Sequence, residues 1–226
     1  MKILIVSATA AEIAPLLSFL GEPNEQVDNK FCQYQLEQHE IHLLITGVGM
    51  LFTAFFLGRQ LALNKYDYAI NAGVAGAIDR TLVLGANVQV VNDEVYDFGA
   101  EDGQSFLTMD QLGLITPQDE PYTAQGICNK PAHWPLIDEL PKVHGHTVNR
   151  VHGNEESIQK MYERSKAQVE TMEGAAFMLA CIKMNVPCMQ IRSISNYVEV
   201  RNKSNWSMKE AIENLNQLLI QFLKSI

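Results

Sequence analysis

Apolar residues along this chain occur in short runs that alternate between the period of a β-strand and the period of an α-helix. Lys2–Ser7 is an apolar run of strand type, and residues 10–20 have the apolar spacing of an amphipathic helix. The residues between them, ATAAE, form a small-residue turn that ends in Glu12.

The same alternation continues through the first half of the chain. A polar QHE tripeptide separates two apolar runs, which indicates a hairpin. The elements predicted there are strands over residues 31–37, 41–46, 68–71 and Asn87–Val95, and a helix over 51–63. Residues 72–76, AGVAG, are predicted as a turn whose glycines let backbone N–H groups approach a ligand closely.

Periodicity fades between residues 96 and 142, where Gly, Pro and Asp are frequent. We expect this region to be a long irregular excursion with a functional or interfacial role. The elements predicted after it are strands over 146–152, 167–171 and 186–195, and helices over Glu155–Arg164 and 174–184. Ser207 and Glu210 fit a capping box at the start of a C-terminal amphipathic helix.

Strands that alternate with helices over the whole length place the chain in the α/β class. No Gly/Ser/Pro-rich linker divides the 226 residues, so we expect a single domain over residues 1–226. The apolar start KILIVS is too short for a signal sequence or a membrane span.

The charge balance favours a small-molecule ligand. The formal net charge is -9 and the 17 basic residues are scattered, which argues against nucleic acid or an anionic membrane as a partner. The cysteines form no CxxC pair, and Cys181 and Cys188 lie in core-like runs, so we expect reduced thiols in a cytoplasmic protein. His144 and His146 have no third ligand at a suitable spacing, so we predict neither a metal nor a cofactor.

Two carboxylates lie in the stretch ETMEGAAF, residues 170–177, which is otherwise mostly apolar. Glu173 falls where a buried strand ends and a buried helix begins; an ordinary acidic residue in a first helical turn is the alternative. The next strand ends in a polar cluster that includes Asn196. Because the carboxyl ends of strands border the ligand crevice of an α/β sheet, we expect Glu173 and Asn196 to meet at one edge.

Four motifs together resemble those of the purine nucleoside phosphorylase and nucleosidase superfamily. They are Glu12 after the first strand, NAGVAG at 71–76, TMEGAA at 171–176 and RSISN at 192–196, in the family's order along nearly the whole chain. Within the superfamily the chain is similar to the nucleosidases for methylthioadenosine and S-adenosylhomocysteine. MEGAAF, ISNYVEVRN and Trp206 make it more similar still to the futalosine hydrolases of menaquinone biosynthesis. The resemblance implies a three-layer α/β/α sandwich around a central mixed, barrel-like sheet.

The resemblance also implies a role for each matching residue. Glu12 would position the attacking water, Glu173 would hold the 2′- and 3′-hydroxyls of the ribose, and Asn196 would bind the base. The remaining pocket residues that it implies are Met172 beneath the ribose and the backbone of Ala75 and Gly76. Cleavage of an N-ribosidic bond passes through an oxocarbenium-like ribose, which groups of these types can stabilise.

Two departures from the family pattern bear on the substrate. Phosphorylases need arginines in their early loops to hold phosphate, yet no arginine precedes Arg59 here, so water is the expected nucleophile. The adenosine-type nucleosidases carry Asp where this chain has Asn196. An amide cannot protonate purine N7, but it can donate hydrogen bonds to N7 and to a 6-oxo group, which suits a hypoxanthine base such as that of futalosine.

Futalosine carries a carboxylated aromatic tail on its 5′ side, which calls for a cation. Arg201 is the candidate, with Trp206 or Phe98 as a stacking surface. Arg192, which precedes the polar cluster, is expected to orient a carboxylate.

Three other interpretations stay open from the sequence. They are a methylthioadenosine or S-adenosylhomocysteine nucleosidase, a phosphate-dependent phosphorylase, and a non-catalytic nucleoside-binding relative. They differ in the base released, in the need for phosphate, and in whether binding leads to hydrolysis. In each case the partner is a small-molecule nucleoside, and we expect a homo-oligomer in which the 96–142 region could close a neighbour's pocket.

Overall fold

The computed structural model describes residues 1–115, 121–123 and 126–226. Within these ranges the strands are β1 Lys2–Ser7, β2 Glu25–Gln26, β3 Phe31–Leu36, β4 His39–Ile45, β5 Tyr68–Ala77, β6 Asn87–Val95, β7 Gly99–Asp102, β8 Ser105–Thr108, β9 Tyr122–Thr123, β10 Gly126–Cys128, β11 Lys142–Thr147, β12 Val169–Thr171 and β13 Cys188–Tyr197. The helices are α1 Ala14–Leu20, α2 Met50–Leu63, α3 Pro135–Asp138, α4 Glu155–Arg164, α5 Gly174–Lys183 and α6 Met208–Ser225.

Five strands close into a barrel. β5 pairs with β13, β13 with β6, β6 with β11 and β11 with β12, and β12 returns to β5. The sheet extends outward from β5 through β1, β4, β3 and β2. Parallel and antiparallel pairs both occur, so the mixed, barrel-like α/β fold is confirmed.

Two apolar layers cover the sheet, one on each side. Along β1, Ile3 and Ile5 belong to one buried cluster, whereas Leu4 and Val6 belong to the other. The first cluster includes side chains of α1 and α6, and the second includes side chains of α2 and α5. Each fully buried aliphatic side chain contributes roughly 1.5–3 kcal/mol, so the helices on both faces hold the strands in place.

Strand β5 is longer than the sequence pattern predicts. It continues through the AGVAG segment to Ala77, so the predicted turn over residues 72–76 is wrong. The physical reason is that β13 runs parallel to the whole segment and pairs with it. A glycine is required at Gly73 by close approach, because a β-carbon there would collide with Arg192 Nη1 and lie 2.9 Å from Glu12 Oε1.

Two further boundaries differ from the prediction. The strand predicted over residues 146–152 is β11, which ends at Thr147. The chain continues as a loop in which the His152 N–H donates to Glu170 of β12. Helix α1 begins at Ala14, and Pro15 occupies its first turn, where a missing N–H costs little. Glu12 therefore precedes the helix and lies outside its first turn.

The C-terminal helix is confirmed, but its predicted capping box is not. The Ser207 hydroxyl donates to Glu210 Oε2 at 2.6 Å and makes no hydrogen bond to a backbone N–H of α6.

The described part of the 96–142 region contains short regular elements. β7 and β8 form a separate hairpin, β9 and β10 extend the sheet from β6, and α3 precedes β11. A wholly irregular excursion is therefore wrong for this part, while residues 116–120 and 124–125 lie outside the described residues. Among the helices of the described ranges, none combines the length and apolar character needed to cross a membrane.

Candidate active site

Glu12 is fixed in place by hydrogen bonds to both carboxylate oxygens. Oε2 accepts from the Thr9 N–H at 3.0 Å and from the Thr9 hydroxyl at 2.8 Å, and Oε1 accepts from the Val74 N–H at 3.1 Å. Asn216 of α6 holds the same turn, donating to the Glu12 carbonyl at 2.8 Å and accepting from the Leu16 N–H at 3.0 Å. The carboxylate consequently points at the middle of β5.

Glu173 lies near the same part of β5 through its ion pair with Arg192. It is the residue before α5, but its side chain caps no helical N–H. Oε1 instead accepts from the Gly49 N–H at 2.9 Å, and Oε2 lies 3.6 Å from Arg192 Nη1. Burial raises the pKa of Glu173; Arg192 and the Gly49 hydrogen bond oppose this shift, and the charge of Glu12 adds to it.

Arg192 pairs with Glu173 and lies near Glu12. Its Nη1 forms the ion pair with Glu173, and this atom and Glu12 Oε1 both lie close to the position that a β-carbon of Gly73 would occupy. Nε donates to Gln190 Oε1 at 3.0 Å, and Nη2 donates to Asn71 Oδ1. The expectation that Arg192 orients a carboxylate agrees with these contacts.

A buried polar network extends from Arg192 across the barrel. Gln190 Nε2 donates to Asp93 Oδ2 at 2.9 Å, and the Thr147 hydroxyl donates to Asp93 Oδ1 at 2.7 Å. Burial raises the pKa of Asp93 from 3.8 to about 6, although Gln190, Thr147 and Arg192 each act to lower it. The sequence analysis did not identify this network; Asp93, a carboxylate inside a predicted strand, was the available signal.

Asn196 of β13 lies opposite Gly76 of β5, which is three residues beyond Gly73. The register of β13 shifts between Ile194 and Asn196, and this bulge re-aims the amide. Oδ1 accepts from the Ser195 hydroxyl at 2.8 Å, and Nδ2 donates to the Tyr197 carbonyl at 2.9 Å. One N–H of Nδ2 is left for a ligand.

Asn196 lines a cleft of about 70 Å³. Its lining also includes Gly76, His152, Glu170, Arg201 and Trp206. The Arg201 guanidinium lies 5.2 Å from the centre of the Trp206 ring, so these two predicted residues are together. Phe98 is not among the lining residues and borders an apolar groove elsewhere.

The remaining predicted residues flank this arrangement. Met172 is half-buried just before Glu173, and Ala75 is buried in β5 next to Gly76. The prediction that the strands before Glu173 and Asn196 are neighbours in the sheet is wrong. These strands, β12 and β13, pair with opposite edges of β5, and β12 runs antiparallel to it. Asn196 lies opposite Gly76. Glu173 instead pairs with Arg192, which lies opposite Gly73, so the two predicted residues lie at different levels of β5.

Three further side chains gather at the level of Gly76. The cluster comprises His146, His152 and Glu170, with potential ligand atoms within 4.8 Å of one another. His146 Nε2 lies 3.1 Å from Glu170 Oε2, and His152 Nδ1 hydrogen-bonds to the same oxygen. Burial alone would raise the pKa of Glu170, but the hydrogen bonds and charges of the two histidines outweigh it and hold the pKa at about 2.

This cluster corrects the sequence argument about metal ligands. His144 is not the partner of His146, because its Nε2 faces the Asn92 amide at 3.1 Å. The three clustered side chains could hold a metal ion, and they are also satisfied by hydrogen bonds to one another. A buried carboxylate in an apolar strand needs such donors, so Glu170 within the VET segment was the available signal.

Comparisons with known proteins identify the family and the fold. The family model described as the phosphorylase superfamily matches residues 2–224. The futalosine hydrolase of Thermus thermophilus is 30% identical over 190 residues, covering 80% of each chain. A 5′-methylthioadenosine/S-adenosylhomocysteine nucleosidase of Maridesulfovibrio salexigens is 29% identical over 100% of both chains. The crystal structure of the nucleosidase of that class from Colwellia psychrerythraea, in complex with adenine, superposes with a TM-score of 0.78 at 22% identity, covering 99% of this chain and 95% of that one.

The raised pKa of Asp93 predicts a pH dependence of stability. The folded state binds this proton more tightly than the unfolded state, so the contribution is present below pH 3.8 and is lost as the pH rises through about 6. Relative to Asp93→Asn, the free energy of unfolding of the native chain should fall by about 2 kcal/mol between pH 4 and pH 8. Urea titrations across this range measure it. The exposed Asp102→Asn is the control, and parallel curves for the native chain and Asp93→Asn would contradict the expectation.

Proposed function

The chain belongs to the phosphorylase superfamily, and we propose that it is the nucleosidase that hydrolyses futalosine to hypoxanthine and dehypoxanthinyl futalosine in menaquinone biosynthesis. The match of the family model to residues 2–224 confirms the superfamily resemblance that the four motifs indicated. Its relatives are named as nucleosidases and futalosine hydrolases, and the chain is a hydrolase acting on N-glycosyl compounds. We place the activity in one domain, residues 1–226, of a cytoplasmic enzyme.

The observation that carries the proposal is the convergence of two carboxylates on one stretch of β5. Glu12 takes a proton from the attacking water, whose oxygen bonds to C1′ as the bond from C1′ to the base nitrogen breaks. Glu173 accepts hydrogen bonds from the 2′- and 3′-hydroxyls. Two fixed anions beside the ribose stabilise the positive charge that develops there in the transition state.

Water is favoured over phosphate as the nucleophile by the charges at the site. The guanidinium of Arg192 is buried and already has Asn71, Gln190 and Glu173 as partners, so it offers little to a phosphate. Glu12 lies beside it and would repel an anion. These contacts support hydrolysis and disfavour a phosphorylase.

The base is assigned from Asn196. Its free amide N–H donates to N7 or O6 of hypoxanthine, and the departing base takes its proton from solvent. Adenine leaves more readily with an acid at this position, which the chain lacks. Arg201 and Trp206, at the edge of the same cleft, suit a carboxylated aromatic tail.

The purified protein should release hypoxanthine from futalosine and, more slowly, from inosine, without added phosphate. Adenine release from methylthioadenosine should be the slowest of the three. Base release with and without phosphate, measured by liquid chromatography, checks this. Preferential adenine release would move the protein to the methylthioadenosine nucleosidases, ribose 1-phosphate would make it a phosphorylase, and binding without turnover would make it a non-catalytic relative.

In the same assay, Asn196→Asp should raise adenine release and lower hypoxanthine release, because it supplies the missing acid.

We also propose that the protein is a homodimer. An apolar face, here called the α2–α5 face, comprises Leu51, Phe52, Phe55 and Leu179, which are all exposed. It borders an apolar groove of about 540 Å³ lined in part by Phe98 and Ile115 of the 96–142 region. Exposed apolar surface of this kind marks an interaction site, and the segment that holds Glu173 through Gly49 enters α2 here. A second copy on this face would lie next to the catalytic carboxylates.

The dimer proposal predicts the effect of a charge on this face. Leu51→Glu should sediment as a monomer, because Leu51 is 77% exposed and the change would bury a carboxylate only in the interface. Val83→Glu, at a position 68% exposed and away from the face, should remain dimeric like the native chain. Analytical ultracentrifugation distinguishes these states. A monomeric native chain would contradict the proposal.

A further inference from the structure

His152 lies at the base end of the site although no motif singled it out. It follows β11 in a loop, and it lines the same cleft as Asn196. Glu170, its partner, pairs with Gly76 on one side of β5, while Asn196 pairs with Gly76 on the other. His152, which is held by Glu170, and Asn196 therefore lie on opposite sides of one ligand position in the cleft.

We propose that His152 is a specificity-determining residue that accepts a hydrogen bond from N1–H of a 6-oxopurine, and that Glu170 is the residue positioning it. This inference rests on the proposed function and deepens it. It assigns the choice between 6-oxo and 6-amino bases to two sites in the cleft, His152 and Asn196.

The hydrogen-bond directions follow from the partner groups. An ionised carboxylate only accepts, so His152 Nδ1 donates to Glu170 Oε2. The His152 backbone N–H donates to the other oxygen, Oε1, at 2.9 Å. In the neutral ring the second nitrogen, Nε2, then carries a lone pair and can only accept. In the described part of the chain no polar atom hydrogen-bonds to Nε2, which leaves it for a ligand in the cleft.

The surroundings hold the ring in this tautomer. The Glu170 side chain is 3% exposed and the His152 side chain is 8% exposed, so water is not available to either side chain as an alternative partner. His146 fixes Glu170 from behind, and its own Nδ1 lies 3.2 Å from the Ser165 hydroxyl, which donates to Glu94. The Tyr96 ring packs against both imidazoles, at 5.0 and 4.9 Å between ring centres.

The acceptor matches one base and opposes the other. Hypoxanthine has a hydrogen on N1, whereas adenine has a lone pair there, which would face the lone pair of Nε2. A site built to pair with a substrate N–H rejects an analogue that lacks it, because its own buried polar group is then left unpaired. We expect the pairing to contribute about 10- to 100-fold in kcat/KM for the 6-oxopurine over the 6-aminopurine nucleoside.

The test compares inosine with adenosine in three variants. His152→Ala should lower the ratio of kcat/KM values for inosine over adenosine by about 10-fold or more. Glu170→Gln should lower it further, because its amide donates to Nδ1, moves the ring proton to Nε2 and presents a donor to N1 of adenine. His144→Ala, which removes a histidine of β11 that lies outside the cleft, should leave the ratio unchanged.

Several results would overturn the inference. One is a ratio unchanged within twofold in both His152→Ala and Glu170→Gln, with thermal unfolding showing that both are folded. Another is a stoichiometric metal ion in the purified protein, because the ion would occupy the atoms invoked. Should the native chain hydrolyse no nucleoside, the proposed function fails by itself. Calorimetric binding of free hypoxanthine and adenine to the same variants then decides on His152, with the same expected loss of preference.

Discussion

The guanidinium of Arg192 lies inside the barrel at 1% exposure, and the geometry of the site depends on how it is satisfied. A buried cation is stable only when its partners compensate the loss of water, and here they are Asn71, Gln190 and Glu173. Space for it exists because Gly73 has no side chain. The same guanidinium pairs with Glu173 and lies at Gly73, where the Glu12 carboxylate also lies.

Strand β5 then separates the chemistry into two levels. The carboxylates and Arg192 lie at the level of Gly73, and the Asn196 amide and the histidine cluster lie at the level of Gly76. In the proposed function the first level is the place of the ribose and the second is the place of the base. The spacing along the strand, three residues at about 3.3 Å each, is close to the distance across a nucleoside. In the proposed function, strand pairing therefore sets both the position of the reacting bond and the choice of base.

The sequence was informative where a residue type was unusual for its local structure. Glu173 and Asn196 were singled out because they follow buried strands, at the end of the sheet where ligands bind, and Glu12 received its role through the family resemblance. Glu170 and His152 were not assigned, because their meeting depends on the antiparallel pairing of β12 with β5 and on the loop after β11, which have no local pattern. The turn predicted over 72–76 failed because glycines required for close approach have the same composition as glycines required for a turn.

The central claim is that Glu12 and Glu173 act on one sugar as a unit. A double-mutant cycle with Glu12→Gln and Glu173→Gln on futalosine hydrolysis tests it most directly. Each single variant should lose about 10²- to 10⁴-fold in kcat/KM, and the double variant should be little worse than the weaker single one. Losses that multiply fully in the double variant, or near-native activity in either single variant, would contradict the account.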